Sequence, residues 1–262
     1  MRTIKYDWHL IYYEDFKYHN NTDLKAFIDD KKYVNLLKSL DLKVVLVLWW
    51  DWTMLAWINK YLHLWLPFLW LNFWNKWFLL NDLNYSNNVW NYTIKKYPIL
   101  ESFLKNNDTQ KTFYSFNEID IRSWNGRILT LDIQICESKS IKISWDWIII
   151  STPSGSTWYN SSLWWPIIPH DLNAFVITPK APWMPKWQTP ILLNDDKVIY
   201  IKNSWRKNYL EVYSDSNIFY NWDSSDLEII IKKSIKQVEL VVLNDYLEVW
   251  EEKVLLEQWF NT

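Results

Sequence analysis

Residues 44–57 read VVLVLWWDWTMLAW, an apolar run that stops at an aspartate, Asp51, and then continues with a different period. The segment LKVVLVL (42–48) is short and rich in β-branched residues, which predicts a buried parallel strand. TMLAWINKYL (53–62) has helical spacing, and LPFLWLNF (66–73) predicts a second buried strand. Strand, turn, helix and strand in this order predict a βαβ unit, whose ligands bind at the carboxyl ends of the strands. Asp51 follows such an end.

An amphipathic helix is predicted upstream of this unit. Residues 22–40 place apolar side chains on one helical face, with Thr22 as a candidate N-cap. The apolar positions are Leu24, Phe27, Ile28, Val34 and Leu37. Together with the βαβ unit, this helix predicts an N-terminal Rossmann-like α/β domain with a parallel sheet.

From about residue 110 the pattern changes to strands with little helix. RILTLDIQIC (127–136) alternates apolar and polar residues, as a strand with one buried face does. Further strands are predicted at 146–152, 174–179, 197–202, 209–214, 226–231 and 237–243. Their spacing predicts a mostly antiparallel β domain, so the expected fold class is α/β followed by β. We expect an N-terminal domain over 1–108, a β-rich domain over 109–243, and a tail over 244–262 that packs back on the N-terminal domain.

The composition is unusual, with 22 Trp and only 2 Gly in 262 residues. Trp and Gly together come close to the ordinary glycine content of about 7%. Most tryptophans stand beside Asp, Asn, Ser or Pro, as in WWDW (49–52), and such turn contexts favour glycine. We therefore interpret most tryptophans as glycine positions, which UGA codons for glycine would produce when translated as Trp. Gly126 and Gly155 then come from ordinary glycine codons.

A genuinely Trp-rich protein is the alternative, with aromatic platforms for carbohydrate or a membrane interface. It would place indoles on exposed faces or alternating along strands, whereas most of them lie in turn contexts. The positions least certain to be glycine are Trp8, Trp65, Trp90 and Trp259.

Charge and hydropathy disfavour several classes of protein. The net charge of −2 suggests neither a nucleic-acid partner nor a polybasic membrane segment. No apolar run approaches the ~20 residues of a spanning helix, and the N-terminus lacks the apolar stretch of a signal peptide. The single cysteine, Cys136, excludes an intrachain disulfide and is expected to be a small buried hydrophobe. We therefore expect a cytoplasmic protein that binds no membrane.

Asp51 and its neighbours have the residue types that phosphoryl transfer needs. Glycines in place of Trp49, Trp50 and Trp52 would let backbone N–H groups approach phosphate oxygens. A carboxylate orients or deprotonates the attacking hydroxyl, and Mg²⁺ usually neutralises the phosphate charge. The alternative role of Asp51 is that of a turn-forming or helix-capping carboxylate.

With Trp read as Gly, the opening stretch becomes VVLVLGGDGTML, which resembles the GGDGT motif of the NAD kinase family. That motif is shared with diacylglycerol and sphingosine kinases and, in variant form, with phosphofructokinases. LPFLWLNFWNKWFLLND (66–82) is similar to the family pattern G-x-N-x-G-x-x-G-F-L, and FNEIDI (116–121) to its Asn-Glu motif. SWDWIIISTPSGSTWYNSSLWWPI (144–167) resembles the family's G-D-G and T-P-S-G-S-T block over nearly its whole length and is the most specific of the four.

The resemblance implies an enzyme that transfers a phosphoryl group from ATP to the 2′-hydroxyl of the adenosine ribose of NAD. It implies Asp51 as the proton acceptor, Mg²⁺ or another divalent cation, and a homodimer or homotetramer. The implied phosphate-binding turn comprises Trp49, Trp50, Trp52 and Thr53. The implied NAD-binding residues are Asn72, Phe73, Asn117, Glu118, Asp146, Ser154, Thr157, Trp158, Tyr159, Asn160, Ser161 and Ser162. In some members the residue matching Asp146 reaches the site of a neighbouring subunit.

The residue types of the implied NAD site suit a nucleoside. Asn117 donates and accepts hydrogen bonds and Glu118 accepts them, as adjacent ribose hydroxyls require. The alternative is a polar strand start. The hydroxyls and the aromatic ring within 154–162 suit a base edge and a sugar, and their alternative is a Ser/Thr-rich turn without a ligand.

The chain also departs from the family pattern. The family commonly has Pro-x-x-Pro-His after the glycine-rich block, whereas TPKAPWMPKWQTP (178–190) has no histidine. Asp215 lies in SDS (214–216), where many members have Asp-Gly or Asp-His, and is a further pocket candidate. Arg127 is a weak candidate for a phosphate contact. The four histidines show no metal-ligand spacing, so no metal site formed by protein residues alone is expected.

Two rival functions remain open from the sequence. A lipid kinase of the diacylglycerol or sphingosine type would share GGDGT but is not expected to carry TPSGST. A non-catalytic Trp-rich binding protein follows if the tryptophans are genuine. As written, with indoles filling the phosphate turn, the polypeptide is expected to be inactive and poorly folded, because overpacking costs ~1–3 kcal/mol per site.

Overall fold

A computed structural model describes residues 2–6, 9–13, 19–48, 51–73, 81–82, 91–106, 110–123, 125–163, 166–183, 189–203, 208–215, 217–224 and 226–244, with the backbone alone at 51–54, 56, 82, 208–209, 218–219 and 221–224. These residues form two compact units. The first contains the described residues up to Lys96 and those from Val238 onward, and the second is Tyr97–Gln237. The expected division at residues 108 and 243 stays a prediction, and the expected tail, except Asn244, lies outside the described residues.

The first unit is built on a mostly parallel sheet. Its strands are β1 (Arg2–Tyr6), β2 (His9–Tyr13), β3 (Val45–Leu48), β4 (Phe68–Asn72), β5 (Asn81–Asp82) and the end of β17 (Glu228–Leu243). β1 is antiparallel to β2, and β2, β3 and β4 follow in parallel order, with β5 and the end of β17 parallel to β4. Every residue of β3 is buried, as its unbroken run of Val and Leu predicts for a central parallel strand.

Three helices accompany this sheet among the described residues: α1 (Thr22–Asp29), α2 (Lys32–Leu40) and α3 (Asp51–Tyr61), the last followed by a 3-10 turn at Leu62–Leu64. α3 joins β3 to β4, so the βαβ unit predicted from residues 42–73 is present. No described helix has both the length and the apolar character that a membrane crossing requires.

The helix predicted over 22–40 is wrong in two respects. Lys31 adopts a left-handed conformation with φ 53°, which divides the segment into α1 and α2. The N-cap is Asn21, whose side chain accepts a hydrogen bond of 2.8 Å from the N–H of Leu24, and not Thr22. The break also changes the phase of the second half, so Val34 is half-buried. The buried face of α2 is formed by Tyr33, Leu36, Leu37 and Leu40.

The second unit is built from antiparallel strands. They are β6 (Tyr92–Lys105, from Tyr97), β7 (Gln110–Ser115), β8 (Glu118–Ser123), β9 (Leu129–Ile135), β10 (Ile141–Trp145), β11 (Trp147–Ser151), β12 (Ala174–Lys180), β13 (Ile191–Asn194), β14 (Ile199–Lys202), β15 (Asn208–Ser214), β16 (Asn217–Ser224) and β17 up to Gln237. One sheet has the order β13-β12-β11-β8-β15-β16. A second contains β17-β14-β9-β10, and β6 pairs with β7.

The core of the second unit lies on the apolar face of the six-stranded sheet. Ile119 and Ile121 of β8 face it together with Ile148 and Ile150 of β11, all four almost completely buried. The β8 residues that alternate with Ile119 and Ile121, namely Glu118, Asp120 and Arg122, lie on the opposite face, since successive side chains of a strand alternate. This opposite face carries the polar residues described below.

Two further sequence interpretations differ from the structure. The strands predicted at 226–231 and 237–243 are parts of one strand, β17, because KKSIK (232–236) between them is also extended. Cys136 is half-buried and not a core residue, since it occupies a left-handed turn with φ 50° after β9, where its Sγ accepts a hydrogen bond of 3.4 Å from the N–H of Val198.

Candidate active site

In the first unit, the predicted phosphate turn lies between β3 and α3. Trp49 and Trp50 lie outside the described residues, and Asp51, Trp52 and Thr53 are described by their backbone, which forms the first turn of α3. The N-terminus of such a helix favours anions, because its first N–H groups lack intrahelical partners. The strand–turn–helix arrangement that the motif requires is therefore present.

Asn72 and Phe73 lie at the carboxyl end of β4, beside β3. Leu48 and Leu71 are paired across the two strands, so Asn72 follows at the edge where β3 also ends. Asn72 is half-buried. The ring of Phe73 packs edge-on against Phe27 at 5.4 Å, and the Phe73 carbonyl accepts a hydrogen bond of 2.7 Å from Asn21. Phe73 thus has a packing role. Its contact with NAD stays a prediction.

In the second unit, the Asn-Glu motif forms a tight turn between β7 and β8. The side chain of Thr152 donates to the carbonyl oxygens of Phe116 at 2.6 Å and Asn117 at 3.1 Å. The backbone N–H of Thr152 donates to the same Asn117 oxygen at 2.9 Å. This joins the Asn-Glu motif to the TPSGST block, as the family resemblance requires of two parts of one site.

Gly155 makes the approach between these two segments possible. A Cβ at this position would stand 2.3 Å from the carbonyl oxygen of Asn117 and 2.6 Å from the hydroxyl of Ser151. The N–H of Gly155 donates to the hydroxyl of Thr152 at 3.2 Å. Glycine is required here by close backbone contact and not by a positive φ.

The rest of the block forms two short 3-10 helices, Ser154–Thr157 and Tyr159–Leu163. Within them the hydroxyl of Thr157 donates to Ser154, that of Ser161 to Trp158 and that of Ser162 to Tyr159, in each case to a backbone carbonyl. These hydroxyl protons stabilise the turns, and the oxygens keep acceptor capacity toward a ligand. The Tyr159 ring packs against Trp147 at a tilt of 34°, with centroids 4.7 Å apart.

Asp120 Oδ1 and Arg122 Nε are among the buried polar atoms of this region that have no hydrogen-bond partner within the described part of the chain. The same holds for three further atoms: Glu118 Oε2, Ser154 Oγ and Asn160 Nδ2. The Asn160 side chain is otherwise fixed, because its Oδ1 accepts a 2.6 Å hydrogen bond from Thr178. A buried polar group without a partner costs about 1–3 kcal/mol, so such groups commonly mark a ligand site. All three were predicted as NAD-binding residues from the sequence.

Burial dominates the electrostatics of this region. It raises the pKa of Glu118 well above 4.5, and the neighbouring carboxyls of Asp215 and Asp120 raise it further. It raises the pKa of Asp215 to about 7, against three backbone N–H groups that favour the ionised form. Burial also raises the pKa of Asp120 to about 7, against the guanidinium of Arg122. Burial and the neighbouring carboxyls thus both favour the neutral form of Glu118.

The other predicted residues lie nearer the surface. The side chain of Asp146 is exposed at the bend between β10 and β11. Arg127 is also exposed, as a solvated charge at a strand end would be, and its N–H donates to Ser123 and Asn125. TPKAPWMPKWQTP (178–190), which stands where the family commonly has Pro-x-x-Pro-His, lies partly outside the described residues, at 184–188.

Sequence reasoning missed two residues that organise the site. Thr152 lay inside the recognised block without a role, although its position before Pro-Ser-Gly marks a tight turn. Asp215 is a pocket candidate from the sequence, which stays a prediction, but its structural role is not evident there: it is completely buried and its two carboxyl oxygens accept hydrogen bonds from the backbone N–H groups of Phe116, Asn117 and Glu118. Nothing local in SDS (214–216) shows this, because the partners lie about 100 residues away.

Comparison with known proteins agrees with this geometry. Residues 117–243 match the sequence model of the ATP-NAD kinase C-terminal domain. The chain is 26% identical over 250 residues to the NAD kinase of Rickettsia prowazekii, covering 92% of this chain and 96% of that protein. It is 26% identical over 248 residues to the NAD kinase of Rickettsia peacockii, covering 92% and 95%.

Two solved structures share the fold. A yeast NADH kinase complexed with NADH superimposes with a TM-score of 0.70 at 19% identity, covering 84% of this chain and 67% of that one. An NAD kinase from Archaeoglobus fulgidus in complex with ATP gives 0.63 at 18% identity, covering 86% and 93%. Residues 117–243 therefore resemble the ATP-NAD kinase C-terminal domain, and the chain as a whole is similar in sequence to NAD kinases.

Proposed function

We propose that the chain phosphorylates the 2′-hydroxyl of the adenosine ribose of NAD, with ATP as donor. The observation that carries this proposal is the group of three buried unpartnered atoms on Glu118, Ser154 and Asn160. A carboxyl group, a hydroxyl and an amide N–H₂ offer the donors and acceptors that ribose hydroxyls and a base edge take up. The similar proteins solved with NADH and with ATP support this choice of ligands.

Asp51 is the proposed proton acceptor for the attacking hydroxyl. It stands at the first turn of α3, directly after the segment that follows β3. Glycines at 49, 50 and 52 would expose the backbone N–H groups of that turn to the phosphates of ATP, and the helix N-terminus favours their charge. Thr53 belongs to the same turn.

A divalent cation such as Mg²⁺ is proposed to accompany ATP. Among the described residues no three His, Cys, Asp or Glu side chains are grouped to hold a metal. Mg²⁺ commonly binds through substrate phosphates, waters and one or two carboxylates, so it does not require such a group of protein ligands. Asp51 is the carboxylate that the sequence places beside the phosphate turn. When bound, the cation neutralises phosphate charge.

We also propose that the active polypeptide has glycine at most of the Trp positions. Trp70 and Trp145 match family glycines, and their buried indole N–H groups have no hydrogen-bond partner among the described residues, although a buried Trp normally finds one. Trp65 has φ 54°, a conformation that glycine favours. The buried indole N–H of Trp57 also has no hydrogen-bond partner among the described residues, but its ring stacks on Tyr12 at 4.1 Å and on Tyr61 at 5.0 Å, as that of a genuine aromatic residue does.

The kinase proposal and the glycine proposal are tested together. The codons at the 22 Trp positions are read, and both the polypeptide with glycine at the UGA positions and the polypeptide as printed are purified. NADP formation is then measured with NAD, ATP and Mg²⁺. We expect turnover by the glycine form alone. UGG codons at 49, 50 and 52 would contradict the glycine proposal, and absence of NADP formation by the codon-specified polypeptide would contradict the kinase proposal.

A homodimer or homotetramer is proposed as the active assembly. The support is the family resemblance together with the exposed side chain of Asp146, which is free to reach a neighbouring subunit. Light scattering on the purified protein tests this, and a monomer at the concentration of full activity contradicts it.

A further inference from the structure

The turn that carries Asn117 and Glu118 is held by a carboxylate from a distant hairpin. Asp215 follows β15, is completely buried and adopts φ 49°. Its Oδ2 accepts a hydrogen bond of 2.8 Å from the N–H of Phe116, and its Oδ1 accepts 2.7 Å and 3.2 Å bonds from the N–H groups of Asn117 and Glu118. Three successive N–H groups thus converge on one anion, as in the backbone anion sites of phosphate-binding loops.

The same turn is held from its other side by Thr152. The Thr152 hydroxyl and N–H bind the carbonyl oxygens of Phe116 and Asn117, while Asp215 binds their N–H groups. The N–H of Asp215 also donates to the Glu118 carbonyl at 3.1 Å. The backbone polar groups of the turn therefore have fixed partners, and its two functional side chains project from a backbone that cannot readily rotate.

We propose that Asp215 is a positioning residue for NAD: it does not touch the ligand but fixes the backbone from which Asn117 and Glu118 reach it. This inference rests on the proposed function. Both Asp215 oxygens are occupied by backbone donors, which leaves the ligand contacts to the residues that it holds. A second effect follows from charge, because Asp215 lies beside the buried Glu118 carboxyl and favours its neutral form.

A carboxylate is the side chain that meets these requirements. Above its pKa of about 7 it presents two acceptor oxygens without a proton of its own, and its hydrogen bonds to backbone N–H groups are then charge-assisted. An amide of the same shape would turn an N–H₂ group toward one of the N–H donors. Asp215→Asn therefore keeps the volume and removes at least one hydrogen bond of the turn.

Asp195→Asn is the matched control. Asp195 is also a buried carboxylate of the second unit, 5% exposed, and it pairs with Lys233 and not with the Asn-Glu turn. Both variants are made in the polypeptide that the codons specify. NAD dissociation constants, KM values for NAD and ATP, thermal midpoints, and amide hydrogen exchange of the peptide containing 116–118 are compared.

We expect Asp215→Asn to raise the NAD dissociation constant and KM by about tenfold or more, with a smaller change in the KM for ATP, and to speed exchange at 116–118. Asp195→Asn should lower the thermal midpoint but leave NAD binding and that exchange unchanged. NAD binding by Asp215→Asn within about twofold of the parent, or unchanged exchange, would overturn the inference.

The two readouts separate this inference from the proposed function. If exchange rises in Asp215→Asn but the parent itself binds no NAD, the proposed function is wrong and the turn restraint remains. If Asp215→Asn does not fold, Thr152→Val loosens the same turn from its carbonyl side without changing the carboxylate. The same loss of NAD affinity and faster exchange are then expected, and their absence overturns the inference.

Discussion

Gly155 lies against Asn117 so closely that a single added carbon would stand 2.3 Å from the Asn117 carbonyl oxygen. Non-bonded carbon and oxygen atoms do not come this close together. The atom in the way is the backbone oxygen of Asn117, which cannot move aside as the end of a side chain can. The TPSGST segment therefore reaches the Asn-Glu turn because residue 155 has no side chain.

Gly155→Ala should separate these two segments and raise the KM for NAD more than tenfold, with a stability loss of about 1–3 kcal/mol from overpacking. Steady-state kinetics and urea unfolding measure the two effects. Gly126→Ala is the control, because a Cβ there meets nothing within 4 Å although φ is 70°. It should cost about 1–2 kcal/mol of stability and leave the KM unchanged. Unchanged NAD kinetics in Gly155→Ala would contradict the described contact.

Asp51→Asn should lower kcat by about 10²–10⁴-fold while the NAD dissociation constant stays within a few fold. The amide retains the shape of the side chain but cannot accept a proton at neutral pH. Rapid-quench measurement of NADP formation, beside equilibrium binding of NAD, distinguishes the loss of a base from the loss of a binding residue. A variant with parental kcat would exclude Asp51 as the proton acceptor.

Trp65→Gly should stabilise the chain by about 1 kcal/mol or more, because residue 65 adopts a left-handed conformation in which a side chain is strained. Trp183→Gly provides the comparison, since this indole is similarly exposed, at 61% against 69%, but is not at a positive φ. We expect Trp183→Gly to give no gain in thermal midpoint. Equal effects of the two changes would remove this support for glycine at position 65.

The free energy of unfolding should fall as the pH rises from about 4 to about 7, the reverse of ordinary acid denaturation. Burial raises the pKa of Asp120 and of Asp215 from 3.8 to about 7, so the folded chain keeps protons that the unfolded chain releases in this interval. Below about pH 4 both states are protonated and this contribution is fully present; above about pH 7 it is lost.

Urea unfolding across this range tests the pH prediction. Asp120→Asn should flatten the profile, because Asp120 then no longer titrates between the guanidinium of Arg122, the ammonium of Lys180 and the carboxylate of Glu211. Stability that rises with pH in the parent would show that these carboxyls are ionised in the folded chain.

The sequence predicted those parts of the fold that depend on local period. The buried run at 42–48, the helical spacing at 53–62 and the alternation at 127–136 each became the predicted strand or helix. The sequence did not show that 226–231 and 237–243 are one strand, nor that residues 22–40 divide at Lys31. Both errors arise because a hydrophobic period does not record where the backbone bends or where it continues extended.

For the site, the residue types and the motif order indicated the family resemblance and its candidate ligands. Motifs such as Asp51 after a strand and Asn117 beside Glu118 consist of residues that are neighbours in the sequence. Only the tertiary structure showed that Asp215 and Thr152 hold the backbone of the turn that carries Asn117 and Glu118. Asp215 and the Asn-Glu turn are separated by 97 to 99 residues, and antiparallel pairing of β15 with β8 brings them together. Burial in that assembled sheet, and not the sequence around each carboxyl, raises the pKa of Glu118, Asp120 and Asp215, because desolvation depends on every chain segment packed nearby.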